Sequence, residues 1–186
     1  MRIESFIFFG IIFLTFSCTT GDNIRTYKLA KSVQAEVNNN IEKYDKNVTD
    51  ELIWVMPKTW MPSSGSSMRI ASFNVPYLNE LGDLSVIKLG GSGGGIESNI
   101  NRWRRQLSLE PLSLKEIEKD IINKNGHLGS YQIIQIINQN IESAFLCAII
   151  PIDAYTIFVK LALKPEGIPI VIDDFSYFCS SINIPN

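Results

Sequence analysis

The chain opens on an apolar run, Phe6 to Phe16 (FIFFGIIFLTF), interrupted only by Gly10 and Thr15 and followed by polar Thr19-Thr20-Gly21-Asp22. Eleven residues fall short of the roughly 20 that a membrane-spanning helix needs, and they suit the apolar core of an export signal. Further on, Ile24, Tyr27, Ala30, Val33, Val37, Ile41 and Tyr44 recur at steps of three and four, which predicts one amphipathic helix in a polar segment. A short strand is expected at Leu52–Met56, then a turn-rich stretch from Pro57 to Ser67. In Met68–Val75, Ala71, Phe73 and Val75 alternate with polar neighbours; in Asp83–Leu89, Ile87 and Leu89 share a face with Ser85. These predict two strands joined through Pro76–Gly82 as a hairpin with a longer loop.

Gly90-Gly91-Ser92-Gly93-Gly94-Gly95 ends the second of these strands, and a helix is predicted from near Glu97 to Leu107. Ile96, Ile100, Trp103 and Leu107 form its apolar stripe, which puts Arg102 and Arg105 on the opposite side and Arg104 on the flank. Pro111 closes that segment. Ser113 with Glu116 three residues on is a capping box, so a second helix is expected over Leu114–Asn123, with Gly126 as its stop. Tyr131–Ile137, Ala144–Ile150 and Tyr155–Leu163 read as strands, the last by strict alternation of Tyr155, Ile157, Val159, Leu161 and Leu163, with Asp153 in the turn before it. After the break at Pro165 to Pro169, a terminal helix presents Val171, Phe175, Phe178 and Ile182. The order βββ-αα-βββ-α predicts an α+β fold, a mainly antiparallel sheet with helices packed on it.

Composition narrows the class. Of 186 residues, 45% are hydrophobic, enough for a core, and 17 Lys+Arg stand against 19 Asp+Glu. Loss of a leader would remove Arg2 and Glu4 and leave 16 against 18, so the chain lacks the basic excess of a general nucleic-acid binder. The expected divisions are a leader at 1–17, a tether with the amphipathic helix at 18–50, and one α+β domain at 51–186.

Candidate chemistry begins at Ser17-Cys18. A small residue before a cysteine, directly after the apolar run, resembles the lipobox of bacterial lipoproteins, although bulky Phe16 departs from the strictest pattern. The resemblance implies cleavage before Cys18, acyl chains on its thiol, and a place in the cell envelope, on the outer membrane or the periplasmic face of the inner one. Each buried CH₂ adds about 0.8 kcal/mol, so two or three chains would hold the protein firmly. An ordinary signal peptide cut near Ser17 or Thr20 is the other reading. The absence of Asp after Cys18 leans toward the outer membrane.

Export permits a disulfide between Cys147 and Cys179; two buried free thiols fit their apolar surroundings equally well. His127 is the lone histidine, and without a His/Cys cluster neither a metal nor a cofactor is expected. The glycine loop leading into a helix could bind an anion through the N–H groups of Gly93, Gly94 and Gly95 with help from Arg102, Asn99 and Asn101. It has no Lys-Ser/Thr ending and no surrounding βαβ unit, so it is neither a P-loop nor a dinucleotide fingerprint; a tightly wound connector is the plainer explanation. Arg102 and Arg105 are candidates for docking an acidic partner, against the ordinary role of a solvated helix face. Asp173, Asp174 and Asp120 fit helix-surface solvation, and Trp103 belongs to the core stripe, while one of Trp54 and Trp60 is expected to be partly exposed.

Trp54, Pro57, Trp60, Met68-Arg69, Ala71, Phe73, the glycine loop, Asn101-Arg102-Trp103-Arg104 and Gln106-Leu107 together resemble a group of uncharacterised bacterial exported proteins. Lys160-Leu161, Phe175 and Phe178 resemble that group's closing strand and helix, so the likeness spans about residues 54–182. No activity comes with it. More remotely, the element order is similar to the α/β/α sandwich of PsbP and Mog1 proteins, which implies a binding or assembly factor. The expected function is therefore a membrane-anchored, non-enzymatic interaction or assembly protein, whose partners are the membrane, through Cys18, and another envelope protein. A small-ligand or anion-binding domain is the alternative, and a cofactor-free hydrolase the third.

Overall fold

Tyr155–Leu163 decides the middle of the molecule, because residues on both sides of this strand are apolar. In the computed structural model, which describes residues 52–185, it is the central strand of a seven-stranded antiparallel sheet. The strands are β1 (Met61–Pro62), β2 (Ala71–Tyr77), β3 (Glu80–Gly90), β4 (Ile122–Gly126), β5 (Gly129–Asn138), β6 (Ser143–Ile152) and β7 (Tyr155–Leu163), in the spatial order β1-β2-β3-β7-β6-β5-β4. Helices α1 (Ile96–Gln106) and the single turn α2 (Leu114–Ile117) follow β3, and α3 (Ile168–Ser181) ends the fold. The expected α+β class with a mainly antiparallel sheet and packed helices is what the chain adopts. The leader, Cys18 and the tether helix lie outside the described residues.

Alternation along β7 sends Ile157, Val159 and Leu161 to one face and Phe158 and Lys160 to the other. The first face packs under α3, whose Val171, Phe175 and Phe178 meet Leu84, Val86, Leu146 and Ala148 from neighbouring strands. Leu52 and Trp60 close this core from the N-terminal side, with Trp54 partly exposed at its rim, as the sequence suggested for one of the two indoles. On the second face Ile100 and Trp103 of α1, Leu107 directly after it and Ile117 of α2 cover Ile134, Ile136, Cys147, Ile149 and Phe158. The described residues thus form an α/β/α stack with one core on each side of the sheet.

Three expectations need correction. Leu52–Met56 is no strand: only Ile53 bridges, to Asn183, because the next free donor, the Val55 N–H, goes to Ser181 Oγ at 2.9 Å and ends any ladder. The hairpin between β2 and β3 is tight, with Tyr77 paired to Glu80 across Leu78-Asn79, so the expected long loop belongs to the strands. Pro76 is tolerated there because β1 covers β2 only at Phe73 and Asn74, leaving Pro76 on an open edge. The helix over Leu114–Asn123 stops after one turn. Its capping box forms, with Ser113 N–H and Oγ both donating to the Glu116 carboxylate at 2.9 and 2.6 Å. Asn123, Lys124 and Asn125, however, gain a full ladder with β5 that outweighs weak helix propensity. Gly126 is accordingly a hairpin residue and not a helix stop. A Cβ there would stand 2.8 Å from Ser180 Cα and carbonyl oxygen, while the His127 N–H donates to that same oxygen at 2.9 Å.

Candidate functional site

Leaving β3, the chain has to turn sharply to bring α1 back over the sheet. Gly91, Gly93, Gly94 and Gly95 all take positive φ (58°, 58°, 95° and 81°), the conformation glycine adopts without steric cost. At Gly93 a side chain is excluded twice over, since a Cβ would come within 2.6 Å of the Phe158 ring, itself packed against Trp103. The Gly93 N–H donates to Gly90 O at 3.2 Å and the Gly95 N–H to Ser92 O at 3.1 Å, so two of the three candidate anion donors serve the turn itself. Buried Asn99 completes the closure: its amide nitrogen donates to Gly93 O at 2.9 Å and Gly95 O at 2.6 Å. These bonds make the loop a locked connector, which weighs against an anion cradle at Gly93–Gly95.

Arg102 holds the clamp from outside, donating from Nη2 to Asn99 Oδ1 at 2.7 Å. Arg104 donates to Glu110 O at 2.7 Å, and Asn101 exchanges two bonds with the Leu112 backbone, each 2.8 Å, which pins the following loop to α1. Arg102 and Arg105, grouped as one docking patch in the sequence, border different hollows. Arg105 lines an open cavity of about 630 Å³ with Gly94, Gly95, Asn101, Pro111 and Leu114. Arg102 lines a smaller recess of about 230 Å³ on the other side of the helix.

That recess exists because α1 is too narrow to cover the whole face. Its floor is Ser85, Ile87 and Leu89 of β3 with Phe158 and Lys160 of β7; Arg102, Trp103 and Gln106 of α1 form one wall and Met68 the other. Lys160 is the residue that sequence reasoning missed as a site. The signal was present, a lone lysine inside a strand apolar on both sides, but its inward placement depends on α1 spanning β7. Its Nζ donates to Gln106 Oε1 at 2.9 Å and lies 4.3 Å from the Phe145 ring centroid. Burial pushes the Lys160 ammonium down from its ordinary pKa of 10.5, with Arg69 and Arg102 acting in the same direction against Cys147 and Asp83. Asp83 is itself engaged: Arg69 grips both its oxygens, at 2.7 and 2.8 Å, and holds its carboxyl below the usual range.

The remaining candidates lie apart. Cys147 is under α1, whereas Cys179 belongs to α3 and is buried in the core on the opposite side of the sheet; both are free thiols, pushed up by desolvation. His127 is exposed in the β4–β5 turn, and Asp173 and Asp174 are exposed on α3. Among the described residues no three His, Cys, Asp or Glu side chains gather as metal ligands, and no helix is long and apolar enough to cross a membrane.

No family model and no curated protein matches the chain. Among solved structures, cyanobacterial PsbP of Synechocystis aligns with a TM-score of 0.46 at 12% identity, over 78% of this chain and 99% of its own. A protein of Bacteroides thetaiotaomicron aligns at 0.45 and 9% identity over 73% of this chain. The alignment spans only 45% of that protein's length. LpqN, involved in cell envelope biogenesis of Mycobacterium tuberculosis, aligns at 0.40 and 12% identity, over 73% of this chain and 83% of its own. Likeness at this level carries nothing about function.

Proposed function

We propose that this chain is a lipid-anchored protein of a bacterial envelope whose folded domain works by binding, with the α1 side of the sheet as its working side. The observation that carries the binding side is the pair Arg102 and Lys160. Two cations border one recess whose lining holds no carboxylate, and Lys160 is held there against a desolvation cost. Arg105 adds a third cation on the outer side of the helix, in a hollow it shares with Glu97, which suits an acidic partner in the envelope that meets Arg102 and Arg105 together. The anchor is supported by the Phe6–Phe16 run with Ser17 and Cys18 behind it. The locked glycine turn counts against anion capture at Gly93–Gly95, and the dispersed His127, Cys147 and Asp174 support binding over turnover.

Cells making the full chain and fed an alkyne-bearing palmitate test the anchor. Label on the chain that is lost in Cys18→Ser is expected; no label, or label kept in the variant, overturns it. In the same cells a photoreactive residue in place of Arg105 is expected to give one discrete protein adduct, with the same residue at Lys119 silent. Equal yields at the two positions, or none at either, would count against a docked protein on the α1 side.

A further inference from the structure

We propose that the recess beside α1 is a binding site for a small organic acid, a monocarboxylate with one ring or a short apolar chain. The inference rests on α1 being the working side and adds the chemistry of what enters there. Three features converge on this ligand.

The first is unbalanced charge. Lys160 and Arg102 line the recess, and none of the other seven lining residues is acidic. The nearest compensating group on the same face, Asp83, is spent on a bidentate pair with Arg69. A lysine ammonium has three N–H donors. Gln106 Oε1 takes one, and the Phe145 ring accepts the charge from another side. Among the described residues no further acceptor binds Lys160 Nζ. A carboxylate oxygen would complete its shell and return the attraction that burial has removed. Ser85 does not compete for this role, because its hydroxyl donates to the Lys160 backbone oxygen at 3.3 Å.

The second feature is the apolar wall. Ile87 and Leu89 are only partly buried at the floor, although each would bury more surface if α1 reached further across the sheet. With Trp103 and Phe158 they give a hydrophobic lining beside the two cations, the mixture of mostly apolar walls and a few converging polar groups that small-molecule sites share.

Size is the third. At about 230 Å³ the recess lies below the roughly 300–1,000 Å³ of sites for drug-sized ligands, so a single ring or short chain fills it. One negative charge suffices: the two carboxylate oxygens can accept one bond from Lys160 and one from Arg102, whose guanidinium uses Nη2 on Asn99 and keeps its other donors.

The test uses the full chain in non-ionic detergent, phenylacetate as probe, and phenylacetamide as its uncharged isostere, followed by NMR titration. Saturable shifts confined to Ile87, Leu89, the Trp103 indole and Gln106 are expected with phenylacetate, and binding about tenfold or more weaker with the amide, the loss of about one charged hydrogen bond. Lys160→Met should weaken phenylacetate about tenfold and Arg102→Gln about threefold, with Lys119→Gln unchanged. Equal binding of acid and amide to the unaltered protein overturns the proposal, as do shifts that do not saturate. Undiminished binding by Arg102→Gln and Lys160→Met together, both folded, does the same. Failure here leaves the Cys18 label and the Arg105 adduct untouched, so it is separable from failure of the anchor or of protein docking.

Discussion

On the α3 face, Phe73 and Phe178 meet Trp54 and Trp60 with ring centroids 5.2 to 6.2 Å apart. On the α1 face, Trp103 has Phe158 at 6.0 Å as its ring partner, and the floor beside it carries Ser85 and Lys160. The contrast begins with reach. The 14 residues of α3 and the strap of Leu52, Trp54 and Trp60 span the sheet, whereas the 11 residues of α1 cover the β5–β6–β7 side and stop short over β3. One face is a finished apolar core whose cost of disturbance is high. The other is finished by hydrogen bonds, from Asn99 to the glycine turn and Asn101 to Leu112, and leaves room for a ligand. On the proposed reading, stability and binding are therefore carried on opposite sides of one sheet.

The comparison can be broken most forcefully at Phe178. It is fully buried and touches three other rings, so Phe178→Ala should cost about 3–5 kcal/mol of unfolding free energy in chemical denaturation. A loss below about 1 kcal/mol would mean that the α3 face is not the principal core. Next in size is Gly126→Ala. The new methyl would press on the Ser180 backbone at the end of α3, where only the helix or the hairpin can yield. A cost of about 1–3 kcal/mol is expected, with faster amide exchange at His127 and the last turn of α3. If α1 amides respond instead, the two faces are not independent.

On the other side, Asn99→Ala should cost about 1–2 kcal/mol, because it leaves Gly93 O without this donor, leaves Gly95 O with the residue 99 backbone N–H alone, and frees Arg102. The diagnostic is location: exchange should rise at Gly93–Ile96 and the start of α1 while β2 and α3 stay protected. Uniform loss across the sheet would contradict a locally locked turn.

How much of this was legible in the sequence differs between the faces for the same physical reason. Tyr155–Leu163 and the Val171/Phe175/Phe178 stripe are periodic and apolar, so strand, helix and core follow from spacing alone. The stripe of Ile96, Ile100, Trp103 and Leu107 likewise placed α1, and the Ser113–Glu116 box marked the start of α2. The end of α2 was hidden, since Ile121 and Ile122 suit either period and only the partner β5 decides for a strand. The site was least legible. Arg102 was singled out, but its pairing with Lys160, 58 positions away, and its separation from Arg105 depend on how far α1 extends over the sheet. By sequence Asn99 reads as a helper for an anion, whereas burial turns its amide back onto the chain.

The smallest effect is also the most specific. Lys160→Met keeps the length of the side chain and removes a desolvated charge, at the loss of the Gln106 bond and the Phe145 contact, so at neutral pH stability should change by no more than about 1 kcal/mol. Its pH dependence carries the information. Burial lowers the Lys160 pKa from 10.5, so the folded chain releases this proton before the unfolded chain does. Between the two values the unfolded state binds more protons, and this group makes stability rise with pH. The penalty is complete below the folded value and relieved as pH climbs toward 10.5. Cys147 and Cys179 act oppositely, because their thiols are pushed up and the unfolded chain loses those protons first. The variant keeps both cysteines, so the difference between the two proteins reports chiefly on Lys160. Denaturation at neutral pH and at pH near 10 should show the unaltered protein gaining relative to Lys160→Met. A flat difference would mean that the ammonium is fully hydrated and the recess is open water, whereas the expected rise marks a charge held ready for a counter-charge at neutral pH.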